Sequence, residues 1–167
     1  MNTNLTTLNA SILDSGADII VMSANPSLLA GSGVSGVIHK SAGPELERYT
    51  KPLGPLAVGQ AVVTPAFEAQ AKYIVHAVCP RYYDGQRGES EELRQAYQNA
   101  LSVCDKLTDV RSIAFVSMGT GVYKWPIELA CKIAVSELMK SQIQNTFVCI
   151  QDQRLLIEYQ LEISRHV

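Results

Sequence analysis

The chain has 167 residues, 47% of them hydrophobic and 18% charged, a balance that supports a packed core and excludes an intrinsically unfolded protein. Fourteen basic residues stand against sixteen acidic ones, for a formal net charge of −2. Generic nucleic-acid binders carry a basic excess, which is missing here.

No apolar run approaches the ~18 residues of a membrane span. Residues 1–7 have neither the cationic start nor the apolar stretch of a signal peptide. The expectations are a cytoplasmic location and no membrane partner. There is no repeat, low-complexity tract or linker, so residues 1–167 read as one domain. Cys79, Cys104, Cys131 and Cys149 form no C-x-x-C pair, and each lies in an apolar segment. They read as buried free thiols of a reducing compartment rather than as disulfides or metal ligands. His39, His76 and His166 lack zinc spacing. Neither a metal nor a cofactor is expected.

Residues 4–13 are strand-like, and the short apolar run at 17–24 has the mark of a strand buried on both faces. A short helix follows Val34. Residues 60–66 and 72–78 read as two strands joined by a polar turn, and 82–90 as a surface loop. The clearest helix spans roughly 90–107, with Ser90 as its expected N-cap and an apolar stripe including Leu93, Ala96, Tyr97, Ala100 and Cys104. Strands are expected at 112–118 and 146–151. Helices are expected from Pro126 and from Asp152 to about Ser164. Strands alternating with helices imply an α/β domain with helices on both faces of a sheet.

Two glycine loops follow strands and lead into helices. The first runs from Asn25 through Gly31 and Gly33 to Gly36, and the second is Gly119-Thr120-Gly121-Val122-Tyr123. Glycine at such corners lets backbone N–H groups approach an anion, and the helix N-terminus adds favourable partial charge. In open α/β sheets ligands bind beyond the carboxyl ends of the strands. Residues 31–36 also fit G-x-G-x-x-G, but they begin six residues after the strand and lack the acidic residue expected about 20 positions on, so a Rossmann dinucleotide site is disfavoured. Val37 after Gly36 excludes a P-loop.

These segments resemble a known family. Residues 18–46, 59–80 and 112–126, in that order, are similar to the macrodomain, the ADP-ribose-binding α/β/α module, and the likeness runs from about residue 10 to residue 150. It implies a three-layer α/β/α sandwich around a mixed sheet of about six strands. The subgroup it most resembles is the bacterial type that hydrolyses O-acetyl-ADP-ribose and removes single ADP-ribose units from proteins.

By this resemblance, Asn25 contacts the hydroxyls of the distal ribose, although an asparagine ordering the turn before Pro26 is the alternative. Gly31, Ser32, Gly33, Val34 and Ser35 wrap the distal ribose and its phosphate. Ser117, Gly119, Thr120, Gly121 and Val122 hold the diphosphate. Tyr123 is a flat wall for the ribose, or else a core tyrosine. Trp125 reads as structural. His39 either contacts the site indirectly or is an ordinary hydrogen-bonded helix residue. Lys124 either adds a cation beside the phosphate loop or is simply solvated. At the adenine end the matching positions are Ser11, Ile12 and Ile150, where Ser11 replaces an aspartate and Ile150 an aromatic residue.

One departure bears on chemistry. The hydrolytic subgroup carries an aspartate at the position of Ser35, and serine near neutral pH cannot accept a proton as a carboxylate does. No carboxylate occurs from Ile19 to Pro44. The catalytic candidates are therefore Asn25, Ser35 and His39, with no role fixed. The expected function is binding of ADP-ribose, free or protein-linked. The alternatives are a hydrolase of O-acetyl-ADP-ribose or of mono-ADP-ribosylated protein, and a degenerate scaffold that binds protein through its surface.

Overall fold

A computed structural model describes residues 3–121 and 123–166. The strands are β1 (Asn4–Leu8), β2 (Ile19–Ala24), β3 (Ala61–Pro65), β4 (Tyr73–Val78), β5 (Ser112–Val116) and β6 (Asn145–Cys149). The helices are α1 (Val34–Ala42), α2 (Pro44–Thr50), α3 (Glu89–Cys104), α4 (Ile127–Leu138) and α5 (Gln153–Ser164). One six-stranded sheet has the order β1-β6-β5-β2-β4-β3, parallel throughout except for β3, which runs antiparallel to β4.

Strand periodicity sorts the core into two layers. Ile19 and Val21 of β2 face the layer built with α3, α4 and α5, while Ile20, Met22 and Ala24 face the layer built with α1 and α2. Both faces of β2 are thus covered, as a continuous apolar run requires, and the architecture is the expected α/β/α sandwich. The α3 stripe is buried at Leu93, Ala96, Tyr97, Ala100 and Cys104. At the start of α5, Asp152 accepts a hydrogen bond from the Leu155 amide and caps the helix.

Two local readings are corrected, and the short helix after Val34 gains a neighbour. The strand at 4–13 stops at Leu8, because Ser11 turns the chain into a 3-10 turn by accepting the Leu13 amide. Gly43 (φ 91) breaks the helix after Val34, and Pro44 opens a second one, α2. Ser90 does not cap α3, which begins at Glu89 behind a left-handed Gly88. The Glu89 carboxylate instead turns back to accept the amides of Tyr83, Asp84, Gly85 and Arg87, so it organises the preceding loop. All four cysteines are free thiols, three of them buried. No helix among the described residues is long and apolar enough to cross a membrane.

Candidate functional site

β2 and β5 are parallel neighbours, so their carboxyl ends lie side by side and both glycine loops open from one end of the strands. From that end the chain diverges. Loop 1 (residues 25–33) leads to α1 in one layer, and loop 2 (residues 117–126) leads to α4 in the other. Such divergence of neighbouring strands opens a crevice that open α/β sheets use for ligands.

Loop 1 is fastened at several points. Leu28 is buried at 1% exposure with φ 62, a left-handed conformation that a leucine adopts only when its surroundings hold it. Thr50 donates to the Leu28 carbonyl at 2.8 Å, and the Ala30 amide donates to Glu47 Oε1 at 3.0 Å. Asn25 Nδ2 donates to the Leu29 carbonyl, and Asn25 Oδ1 accepts from the Ser27 hydroxyl. Asn25 therefore orders its own turn, and it faces Ser35 across Gly31: a Cβ on Gly31 would sit 3.1 Å from Asn25 Nδ2 and 3.9 Å from Ser35 Oγ. Gly36 serves packing, since a Cβ there would meet the Gly31 carbonyl oxygen at 2.3 Å. After all this fastening, the amides of Gly31, Ser32, Gly33, Val34, Ser35 and Gly36 donate to no described residue.

Loop 2 is braced from below. Ser117 Oγ shares hydrogen bonds with Tyr159 Oη at 2.8 Å and Thr120 Oγ1 at 2.9 Å, and the Met118 amide donates to Tyr97 Oη. Trp125 is buried, donates from its indole N–H to the Pro80 carbonyl at 2.9 Å, and lies so close over Gly119 that a Cβ there would meet its Cδ1 at 2.5 Å. The indole is thus a structural wedge. The amides of Gly119, Thr120 and Gly121 donate to no described residue, and Gly121 is exposed with nothing near its Cβ position. Val122 lies outside the described residues. Tyr123 is half-buried, with the Arg81 guanidinium over its ring at 5.0 Å. Lys124 is exposed in a left-handed turn (φ 61).

Ser11 and Ile12 follow β1, and Ile150 follows β6, at the same carboxyl end of the parallel strands as the two loops. Ser11 is half-buried, whereas Ile12 and Ile150 are buried in opposite core layers.

Behind loop 1 the fold joins two histidines that are distant in sequence. His39 and His76 are buried with ring centroids 6.2 Å apart, edge to face. His76 Nε2 meets Thr64 Oγ1 at 3.0 Å, but its Nδ1, both nitrogens of His39 and Ser35 Oγ have no hydrogen-bond partner among the described residues. Burial lowers the His39 pKa below 6.5, against an opposing pull from the Glu47 carboxylate. Burial, with His39 adding to it, pushes His76 down to about 3. Both imidazoles are neutral at pH 7. Ser35 and His39, one helical turn apart, share the inward face of α1.

Sequence reasoning missed Glu47, Thr50, Leu28 and Arg81. Glu47 lies just past the carboxylate-free window that ends at Pro44. Arg81 follows β4 in a segment that no motif marks.

Comparison with known proteins agrees with this geometry. Residues 21–134 match the Macro domain family. A macro domain-containing protein of Ralstonia nicotianae is 44% identical over 131 residues, covering 78% of this chain and 76% of its own. The O-acetyl-ADP-ribose deacetylase of Enterobacter cloacae is 34% identical over 175 residues, covering 99% and 97%. Among solved structures, the Oceanobacillus iheyensis macrodomain with ADP superposes with a TM-score of 0.89 at 30% identity, over 99% of this chain and 95% of that one. The Trypanosoma brucei macrodomain in complex with ADP-ribose gives 0.83 at 29% identity, over 94% and 68%. Fold and sequence agree, and the chain belongs to the macro domain family.

Proposed function

We propose that this protein binds ADP-ribose or a derivative of it, free or protein-linked, in the crevice between loops 1 and 2. The observation that carries the reading is the pair of adjacent corners whose backbone amides, Gly31–Gly36 and Gly119–Gly121, have no protein acceptor among the described residues. Free N–H donors at two neighbouring strand-to-helix corners suit a diphosphate. In this reading loop 1, with Asn25 and Ser35, holds the distal ribose and its phosphate. Loop 2, from Ser117 through Val122, holds the diphosphate, and Tyr123 walls the ribose. Ser11, Ile12 and Ile150 surround the base. Asn25 exchanges its hydrogen bonds within the turn for ribose hydroxyls when the ligand enters. The free thiols fit a reducing, cytoplasmic setting.

Calorimetry with ADP-ribose tests this, with Gly121→Glu as the control. Nothing lies within 4 Å of the Cβ position at Gly121 and its φ is ordinary, so the substituted fold stands while a carboxylate meets the diphosphate. The expected result is saturable binding by the native chain and none by Gly121→Glu at unchanged melting temperature. Native protein that stays silent at millimolar ligand overturns the proposal.

A second reading, hydrolysis of the ligand, is favoured by one observation: Ser35 and His39 are buried beside the expected distal ribose with unspent polar atoms. A neutral imidazole can accept a proton, but serine alone is a poor base. Ser35→Asp restores a carboxylate where the hydrolytic subgroup has one. It should raise acetate release from O-acetyl-ADP-ribose by about 10²–10⁴-fold. Native turnover equal to that of the variant would show that the chain hydrolyses its ligand without the aspartate.

A further inference from the structure

Beside the two loops a pocket of about 290 Å3 opens, bounded by Pro26 of loop 1 and Tyr123 of loop 2. In the proposed site Tyr123 walls the distal ribose, so a substituent on the Tyr123 side of that sugar can enter this space. A water molecule needs about 10–15 Å3 of such space, so the pocket has room for a short acyl chain. Val58, Cys79 and Pro80 give it an apolar lining.

The polar part of the lining is uneven. The Glu89 carboxylate is spent on four backbone amides. Arg87 lies over Tyr83 at 4.9 Å and meets Asp84 at 3.4 Å, and Glu92 is half-buried in the first turn of α3. Arg81 differs from these. Its guanidinium rests on the Tyr123 ring and makes no hydrogen bond or ion pair with any described residue. Stacking orients the fork while leaving its N–H donors free. An oriented, unspent guanidinium beside an apolar wall recognises a carboxylate on a short apolar stem.

We infer that the pocket is a subsite for a carboxylate-tipped acyl group esterified to the distal ribose, such as the succinyl monoester of ADP-ribose. Its methylenes lie against Val58 and Pro80, and its carboxylate meets Arg81. The inference rests on the ADP-ribose reading above.

The test is calorimetry with ADP-ribose and with hydrolysis-resistant analogues in which a distal-ribose hydroxyl is replaced by an amine bearing an acetyl, butyryl or succinyl group. The native chain should bind the succinyl analogue about tenfold more tightly than the butyryl one, the worth of one charge-assisted hydrogen bond. In Arg81→Gln that ratio should fall to about one, whatever the variant does to ADP-ribose itself. A succinyl analogue that gains nothing over butyryl in the native chain overturns the inference, as does a gain that survives Arg81→Gln. An ADP-ribosylated peptide with acidic flanks that gains where the succinyl analogue does not would assign the pocket to polypeptide and also overturn it. Failure of ADP-ribose itself to bind would instead defeat the underlying site.

Discussion

Gly36 separates what a glycine motif says from what it does. The spacing of Gly31, Gly33 and Gly36 reads as a ligand loop, yet Gly36 is required because the Gly31 carbonyl lies 2.3 Å from where its Cβ would be. That neighbour is backbone and cannot swing aside. Gly36→Ala should therefore cost about 1–3 kcal/mol in urea denaturation and weaken ADP-ribose binding by displacing loop 1. Gly121→Ala, with nothing within 4 Å, should leave stability unchanged in the same assay. At this scale the places of the two glycine loops were legible, because strand, glycine and helix stand in order along the chain. The partners of each side chain were not. Asn25 is spent on its own turn, and the Ser35 hydroxyl, buried beside it, has no partner among the described residues. Contacts of that kind depend on where the loop folds back, which spacing does not record.

Among elements, α2 has the largest role that sequence reasoning did not assign. It is short and polar, with only Leu46 and Thr50 buried, so its periodicity is too weak to mark it. It nonetheless anchors loop 1 through Thr50 and Glu47. Thr50→Val keeps the shape of the side chain and leaves the Leu28 carbonyl without this donor. A loss of about 1–3 kcal/mol of stability, with weaker ADP-ribose binding, is expected from paired chemical denaturation and calorimetry. The misplaced cap of α3 has a similar cause. Serine before two glutamates is a good local N-cap signal, but Glu89 has a stronger claim, since its carboxylate gathers four amides of the preceding loop.

For the whole molecule, alternation of strand and helix carried the fold class, while the sheet order did not follow from it. β2 and β5 are separated by two strands and three helices in sequence and become neighbours only in the sheet. The crevice exists because of that pairing. Stability as a whole should also report the buried histidines. His76 is held near 3 in the folded chain against an ordinary 6.5, and His39 is lowered as well. Between those values the unfolded chain binds more protons, so folding weakens as pH falls below 6.5. The slope should be about 1.4 kcal/mol per pH unit from His76 alone. Glu89 acts lower down. Burial would raise its pKa, but the four amides outweigh that and hold it at about 2, against an ordinary 4.5. Its contribution is complete above 4.5 and fades as pH falls toward 2. Urea midpoints measured from about pH 8 to about pH 4 should be flat above neutrality and then decline. His76→Gln should flatten the upper part of that decline.

Because the loops into α1 and α4 leave adjacent strands for opposite faces of the sheet, a molecule lodged between those loops bridges both helical layers at once. It acts as a rivet across the sandwich. Occupancy would then couple the opening of one layer to that of the other, so that a nucleotide held by a few amides steadies helices it never touches.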